Sequence, residues 1–140
     1  MKKKSGKCYL LNCFNPHILT RHTTTCYLTY FPIWIVHADG ASNKQGSGAG
    51  VLLITPEGDI LDTALRFHFH ANNNEAEYEA IIAGLRITND MGADQVVVYN
   101  DSSVVVGQIL GSSATKEDHL AAYLSKVQSK IKIFKKLNLY

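Results

Sequence analysis

Two short apolar runs that each lead into an aspartate constrain the fold of this chain most strongly. Residues 33–38 are almost continuously apolar and lead into Asp39, while the valine-rich residues 95–99 are followed closely by Asp101. A short apolar run without polar alternation is typical of a strand that is buried on both faces of a sheet. Both runs are therefore predicted to be central strands of one α/β sheet.

The rest of the chain from Ile33 onward supplies three more strands and three helices. The predicted strands cover residues 33–38, 49–55, 60–70, 95–99 and 130–139, and the predicted helices cover residues 74–91, 102–110 and 116–129. The helical crossover makes the first and fourth strands parallel, whereas the tight turns make the second strand antiparallel to the first. The expected fold is a mixed five-stranded sheet flanked by helices.

Charge and cysteine content separate the first 32 residues from this domain. Residues 1–32 have a net charge of +5 and contain all three cysteines, and they show no helical or strand periodicity. We interpret them as an irregular basic extension of a domain spanning residues 33–140. That domain has nine basic and twelve acidic residues, a net charge of −3. Without cysteines it has no disulfide framework, which suits an intracellular compartment, either nuclear or cytoplasmic.

No stretch of the sequence is expected to anchor the protein in a membrane. The longest uncharged run, residues 23–38, contains Pro32 and is too short for a spanning helix.

The slightly acidic domain also lacks the charge of an ordinary nucleic-acid binder. If it binds a phosphate backbone, metal ions or a local group of lysines must supply the positive field.

Three carboxylates are predicted to meet at one edge of the sheet. If the two apolar strands are neighbours, Asp39 and Asp101 lie together beyond their carboxyl ends, where open α/β sheets bind ligands. Glu77 has the helical phase of the small and apolar residues that must face the sheet, while Glu75 and Glu79 fall on the opposite side and are expected to face water. An inward glutamate is costly unless something pairs with it, so Glu77 is the third candidate.

Such a cluster is best explained by a bound cation. Three neighbouring carboxylates repel one another, and some would take up protons unless a cation intervenes. Oxygen ligands without Cys or His favour Mg²⁺ or Mn²⁺ over zinc, and two such ions can support cleavage of a phosphodiester. Each residue also has a simpler interpretation: Asp39 as a turn residue, Asp101 as a helix cap and Glu77 as a surface glutamate.

Four motifs in this order resemble the type 1 ribonuclease H family, particularly its versions in plant retroelement polyproteins. The motifs are HADGAS at residues 37–42, GSGAGV at 46–51, NNEAEY at 73–78 and NDS at 100–102. Their order, spacing and strand or helix context agree with the family over about residues 33–139. The resemblance implies a ribonuclease H-like fold for this part of the chain.

The resemblance also implies an activity and a site. Family members cut the RNA strand of an RNA–DNA hybrid endonucleolytically with two divalent ions, and they leave a 3′-hydroxyl and a 5′-phosphate. Asp39, Glu77 and Asp101 would be the catalytic metal ligands. Residues along the minor groove of the hybrid, where the 2′-hydroxyl distinguishes RNA from DNA, would bind the substrate. The implied substrate-binding residues are Gly40, Ser42, Asn73, Asn74 and Ser102.

Two departures from the family pattern suggest an alternative. The family has a final helix with a fourth metal-site aspartate beyond the fifth strand, whereas this sequence ends at Tyr140, and Ser103 replaces a usual glutamine. The alternative is a catalytically impaired retroelement remnant that only binds nucleic acid or serves as a structural module. Without the final helix, one apolar face of the sheet is expected to be uncovered, which predicts self-association or a partner protein.

Overall fold

The computed structural model describes residues 32–114 and 118–140, so nearly all of the extension predicted over residues 1–32 lies outside the described residues. The domain boundary at residue 33 stays a prediction. The strands are β1 (Ile33–Asn43), β2 (Gly46–Ile54), β3 (Ile60–Arg66), β4 (Gln95–Tyr99) and β5 (Lys136–Leu139), and the helices are α1 (Asn73–Asp90), α2 (Ser103–Leu110) and α3 (Asp118–Ile131).

The five strands form one mixed sheet in the order β3-β2-β1-β4-β5. β2 is antiparallel to both β1 and β3, whereas β4 is parallel to both β1 and β5. The predicted mixed five-stranded sheet with an antiparallel second strand is therefore confirmed. The long crossover through α1 makes the parallel pairing of β1 with β4 possible.

The hydrophobic core lies between the sheet and the helices. On β1, Val36 and Ala38 are buried while His37 and Asp39 are exposed, because successive side chains of a strand point to opposite faces. A Cβ on Gly84 would lie 2.8 Å from Val36 Cγ1, so α1 rests closely on β1 at this point. α2 and α3 add buried side chains to the same core. Within the described part of the chain, no helix is long and apolar enough to span a bilayer.

β1 is longer than the sequence predicted. Its antiparallel pairing with β2 continues as far as Asn43 opposite Gly46, so Asp39 lies within β1 and not after its end. The turn that we predicted over residues 41–48 is correspondingly short. Asn43 Oδ1 closes it by accepting hydrogen bonds from the backbone N–H groups of Gln45 at 2.8 Å and Gly46 at 3.0 Å.

The boundaries of two other predicted strands were wrong. β3 ends at Arg66 and not at residue 70, because the Phe67 N–H and the Phe69 carbonyl both bond to Ser47 as the chain leaves the sheet. At the other end of the chain, α3 continues to Ile131 and β5 begins only at Lys136. The apparent alternation at residues 131–134 instead belongs to a helix end and a turn that bury Phe134 in the core.

Candidate active site

Asp39 and Asp101 line the same cavity at the edge of the sheet. The parallel pairing of β1 with β4 ends at His37 opposite Tyr99, and each aspartate follows two residues later. Both side chains are exposed, and the cavity that they line has a volume of about 270 Å³. The two aspartates therefore face one space, as a shared ligand site requires.

Glu77 reaches the same edge from the first turns of α1. The helix begins after Asn72, whose side chain accepts a hydrogen bond from the Glu75 N–H while the Glu75 carboxylate accepts one from the Asn72 N–H, both at 2.8 Å. This capping box fixes where the helix starts. Glu77 Oε2 then accepts hydrogen bonds from the Gly40 N–H at 3.2 Å and from Asn100 Nδ2 at 2.6 Å.

The approach of α1 to β1 requires a glycine at position 40. A Cβ on Gly40 would lie 2.2 Å from both the carbonyl carbon and the carbonyl oxygen of Ala76, and 2.5 Å from the Glu77 backbone nitrogen. No side chain larger than hydrogen can be placed there unless the helix moves. Gly40 thus lets the start of α1 touch β1 directly beside Asp39.

Asn100 is a site residue to which the sequence analysis gave no role. Its Nδ2 donates to the Ala38 carbonyl at 2.9 Å as well as to Glu77, and its Oδ1 accepts a hydrogen bond from the Ser102 N–H at 2.9 Å. The Asn100 side chain therefore links β1, α1 and the turn that holds Asp101. The signals in the sequence were its place in the NDS motif at residues 100–102 and its position directly after a buried strand, at the same edge as the aspartates.

The environment of Glu77 disfavours its negative charge. Burial raises the pKa of the Glu77 carboxyl, and the nearby Asp39 carboxylate raises it further, while the hydrogen bonds from Asn100 and Gly40 lower it and only partly compensate. The carboxyl therefore keeps its proton to a higher pH than an exposed glutamate. A cation placed between Glu77 and Asp39 would relieve this repulsion.

The glutamates that were predicted to face water are half-buried. Glu75 and Glu79 lie on the side of α1 that packs against α3, where Glu79 interacts with the Tyr123 hydroxyl and, like Glu75, raises the pKa of Tyr123, a shift due mainly to burial. The prediction was wrong because a helix packed on both a sheet and a second helix has two buried sides. Glu77, which points toward the sheet, still contacts Gly40 and Asn100 as its helical phase required.

The donor chemistry of the three carboxylates fits a hard divalent ion. Asp39 connects the group, because it interacts with Glu77 and lines the cavity together with Asp101. The ligand atoms that these three side chains offer are all carboxylate oxygens, which Mg²⁺ and Mn²⁺ prefer. Over residues 32–114 and 118–140, no three Asp, Glu, His or Cys side chains already stand at the mutual spacing of metal ligands.

The predicted substrate-binding residues have different local roles. The Gly40 N–H is used by Glu77, the Ser42 hydroxyl donates to the Ala71 carbonyl, and the Ser102 hydroxyl caps α2 by accepting from the Val105 N–H at 3.2 Å. Asn73 and Asn74 lie in the first turn of α1, close in sequence to Glu77. For all five of these residues, contact with a nucleic acid stays a prediction.

Replacing Glu77 with glutamine is expected to change how stability depends on pH. Native Glu77 retains its proton at a pH where the unfolded chain has lost it, so the metal-free protein loses stability as pH rises through the raised pKa. Glu77→Gln keeps an acceptor for Gly40 and Asn100 but cannot ionise. We therefore expect the variant to gain stability relative to the wild type as pH rises from acidic to neutral in urea melts with EDTA.

A matched surface variant supplies the control for this measurement. Asp90 is an exposed carboxylate at the far end of α1, so Asp90→Asn makes the same carboxyl-to-amide change away from the edge of the sheet that holds Glu77. Parallel pH profiles for Glu77→Gln and the wild type would contradict the assigned environment of Glu77.

Comparison with known proteins places this chain in a family. The sequence profile described as "Reverse transcriptase-like" matches residues 37–139. Ribonuclease HI of Halobacterium salinarum is 36% identical over 89 residues, which cover 61% of this chain and 45% of that protein. The chain thus spans less than half the length of the curated relatives that it matches.

Solved structures agree with the sequence match. The crystal structure of RNase H1 from Halobacterium salinarum superposes with a TM-score of 0.73 at 26% identity, over 77% of this chain and 83% of that one. LC11-RNase H1 in complex with an RNA/DNA hybrid gives a TM-score of 0.68 at 26% identity, over 76% and 83% of the two chains. The profile match and the superpositions agree: this chain belongs to the reverse transcriptase-like family of type 1 ribonuclease H domains.

Proposed function

We propose that this protein is an endoribonuclease that cuts the RNA strand of an RNA–DNA hybrid with the help of two divalent metal ions, Mg²⁺ or Mn²⁺. The observation that carries the proposal is the position of Asp39, which interacts with Glu77 and lines one cavity with Asp101. The likeness to LC11-RNase H1, solved with an RNA/DNA hybrid, supports the choice of substrate.

The three carboxylates would hold the metal ions, and the neighbouring residues would orient them. When bound, such ions lower the pKa of an attacking water and stabilise the departing oxygen of a phosphodiester. Asn100 holds the Glu77 carboxylate toward Asp39 through its bonds to Glu77 and Ala38. We assign it as a positioning residue, because oriented ligands bind a metal more tightly than freely rotating ones.

The substrate would lie along the edge that presents the start of α1. Asn73 and Asn74 are placed there by the capping box, with side chains that can donate to and accept from a 2′-hydroxyl. The metal ions would supply most of the positive charge for the phosphates, because Asp39, Glu77 and Asp101 give this edge an acidic character.

Incubation of the purified chain with an end-labelled RNA–DNA hybrid tests the proposal directly. With Mg²⁺ or Mn²⁺ we expect cuts within the RNA strand only, and we expect EDTA to abolish them. DNA duplex of the same sequence is the matched control and should stay intact. Hybrid binding without cleavage under any divalent ion would favour the alternative of a module that only binds nucleic acid.

A further inference from the structure

The charges of the domain are segregated along the chain. Residues 33–118 carry four basic and twelve acidic side chains, a net charge of −8, whereas residues 119–140 carry five basic side chains and no acidic one. The five basic residues of this last stretch are Lys126, Lys130, Lys132, Lys135 and Lys136. A slightly acidic domain thus contains one strongly basic stretch, which the proposed active site does not use.

The fold brings these lysines together at one end of the domain. Lys126 and Lys130 lie in the last two turns of α3, four residues apart, and side chains with this spacing are neighbours on a helix. A turn then leads into β5, where the N–H groups of Lys135 and Lys136 bond to the Asp94 carbonyl at 2.9 Å and 3.3 Å. We call the surface formed by the five lysines the basic pole.

The basic pole lies at the end of the sheet opposite the candidate active site. β4 and β5 are parallel and pair Gln95 with Lys136 at their amino ends, whereas Asp101 follows the carboxyl end of β4. At about 3.3 Å per residue, the distance from Gln95 to Asp101 is roughly 20 Å. A ligand of the basic pole therefore occupies a different surface from a ligand of the active site.

The lysines of the basic pole are accessible and mostly unpaired. Four of the five side chains are exposed, and that of Lys130 is half-buried. Among the residues that the structure describes, Lys135 alone of the five forms an ion pair, with Asp94 at 3.7 Å. The other four ammonium groups repel one another without a carboxylate between them in the described part of the chain. A bound polyanion would relieve this repulsion.

The chemistry of the basic pole indicates a phosphate backbone as the ligand. The lysines extend from a helix through a turn to a strand, a wider surface than one phosphate group can contact. Lysine ammonium groups bind phosphates as point charges. The one aromatic residue between Lys126 and Lys136 is Phe134, which is buried, so no ring is presented on which a base could stack. Contacts to phosphates alone carry no sequence information.

We propose that the basic pole binds the phosphate backbone of a single nucleic-acid strand, independently of metal ions and of base sequence. The proposal goes beyond the proposed function and stands whether or not the chain cuts a hybrid. If it does, the strand held here would be a single-stranded continuation of the hybrid, roughly 20 Å from the cleaved bond. The basic pole would then keep the enzyme on its substrate between cuts.

Binding of a single strand in EDTA tests the basic pole without any cleavage. We use fluorescence anisotropy of a labelled oligothymidine strand at a series of NaCl concentrations. Each phosphate contact on a single strand contributes about 0.7 to the slope of log affinity against log salt concentration, so four unpaired lysines predict a slope of about −3. Absence of binding at about 50 mM salt, or a slope near zero, would overturn the proposal.

Two double variants with equal loss of charge assign the binding to the basic pole. Lys132→Gln with Lys136→Gln removes two exposed lysines, so the slope should become shallower by about 1.4 and the affinity at about 50 mM salt should fall at least about tenfold. Lys44→Gln with Arg66→Gln removes two exposed basic residues on other strands and turns, and this matched control should bind like the wild type. An equal loss in both variants would overturn the assignment, because net charge alone would then explain it.

Further variants separate charge from folding. Lys132→Arg with Lys136→Arg keeps both charges and should bind like the wild type, and a loss of binding there would also contradict the proposal. Lys126→Gln changes an exposed residue of α3 and should make the slope shallower by about 0.7. This single variant serves if the double glutamine variant does not fold, and an unchanged slope would count against the basic pole.

The acidic edge of a second copy is the competing occupant. Asp39 and Asp101 lie at that edge, and opposite charges on two ends of one domain could join copies head to tail. Sedimentation of the protein alone should show a monomer at the concentrations of the binding experiment. Assembly that Lys132→Gln with Lys136→Gln dissociates, and that excludes oligothymidine, would overturn the proposal. Since oligothymidine is no hybrid and no metal ion is present, the basic pole and hybrid cleavage can each fail while the other stands.

Discussion

Asp39→Asn is expected to reduce cleavage of an RNA–DNA hybrid at least about a hundredfold, with little change in the stability of the metal-free protein. Asp39 is the carboxylate that both interacts with Glu77 and shares the cavity with Asp101. Under the proposed function, removing its charge takes away the carboxylate that both halves of the site would share as a metal ligand. Loss of residues that merely orient a metal ligand already costs about 10- to 100-fold, so loss of the shared ligand should cost at least as much.

The pKa of Glu77 and the binding of metal ions supply two further readouts for the same variant. Because the Asp39 carboxylate contributes to the raised pKa of Glu77, Asp39→Asn should lower that pKa toward its ordinary value. Isothermal titration with Mg²⁺ or Mn²⁺ should show weakened binding in parallel with the lost cleavage. Asp101→Asn is expected to reduce cleavage by a similar factor, and Asp90→Asn, at the exposed far end of α1, should cleave like the wild type.

Undiminished cleavage by Asp39→Asn would show that the metal ions bind elsewhere. Retained metal binding together with lost cleavage would instead assign Asp39 a role in the chemical step. Single-turnover rates at saturating protein separate these cases from a change in hybrid affinity, since they do not depend on substrate binding.

The central strands and the inward glutamate could be predicted from the sequence because both depend on local pattern. Residues 95–99 were predicted as a strand, and β4 spans Gln95–Tyr99, since a short valine run between polar residues fits few other structures. Glu77 was assigned an inward position from helical phase alone, and its carboxylate contacts Gly40 and Asn100. Periodicity fixes which way a side chain points once the helix is known.

The features that the sequence did not reveal depend on pairing between distant segments. β1 reaches Asn43 because β2 continues to pair with it, which the apolar run at residues 33–38 could not indicate. The role of Asn100 follows from a hydrogen bond to Ala38, a residue 62 positions earlier in the chain. The pairing of His37 with Leu52, and of Leu52 with Asp62, likewise exists only in the register of the folded sheet.

Gly40→Ala is expected to be the most destabilising single-methyl substitution in the described part of the chain. The added Cβ would lie 2.2 Å from the Ala76 carbonyl group and 2.5 Å from the Glu77 backbone nitrogen, well inside van der Waals contact. These are backbone atoms of α1, so no side-chain rotation can relieve the overlap. Overpacking of a well-packed site typically costs 1–3 kcal/mol, and a clash with backbone should reach about 3 kcal/mol or more.

Gly50→Ala is the matched control for this substitution. Gly50 pairs with Asp39 on the adjacent strand, and a Cβ there meets nothing within 4 Å. Both changes remove a glycine from a strand of the same sheet, so they share the gain of about 0.5–1 kcal/mol that alanine brings by restricting the unfolded chain. Urea denaturation should therefore show a large loss for Gly40→Ala and a small gain or no change for Gly50→Ala.

The consequence of Gly40→Ala for function distinguishes packing from catalysis. Shifting the start of α1 away from β1 would break the Gly40 N–H bond to Glu77 and carry the Glu77 carboxylate away from Asp39. Cleavage per folded molecule should then fall together with stability, whereas a defect of folding alone would leave the rate of the folded fraction unchanged. If Gly40→Ala were as stable as Gly50→Ala and fully active, α1 could not rest on β1 as described, and Glu77 would have no fixed place in the proposed metal site.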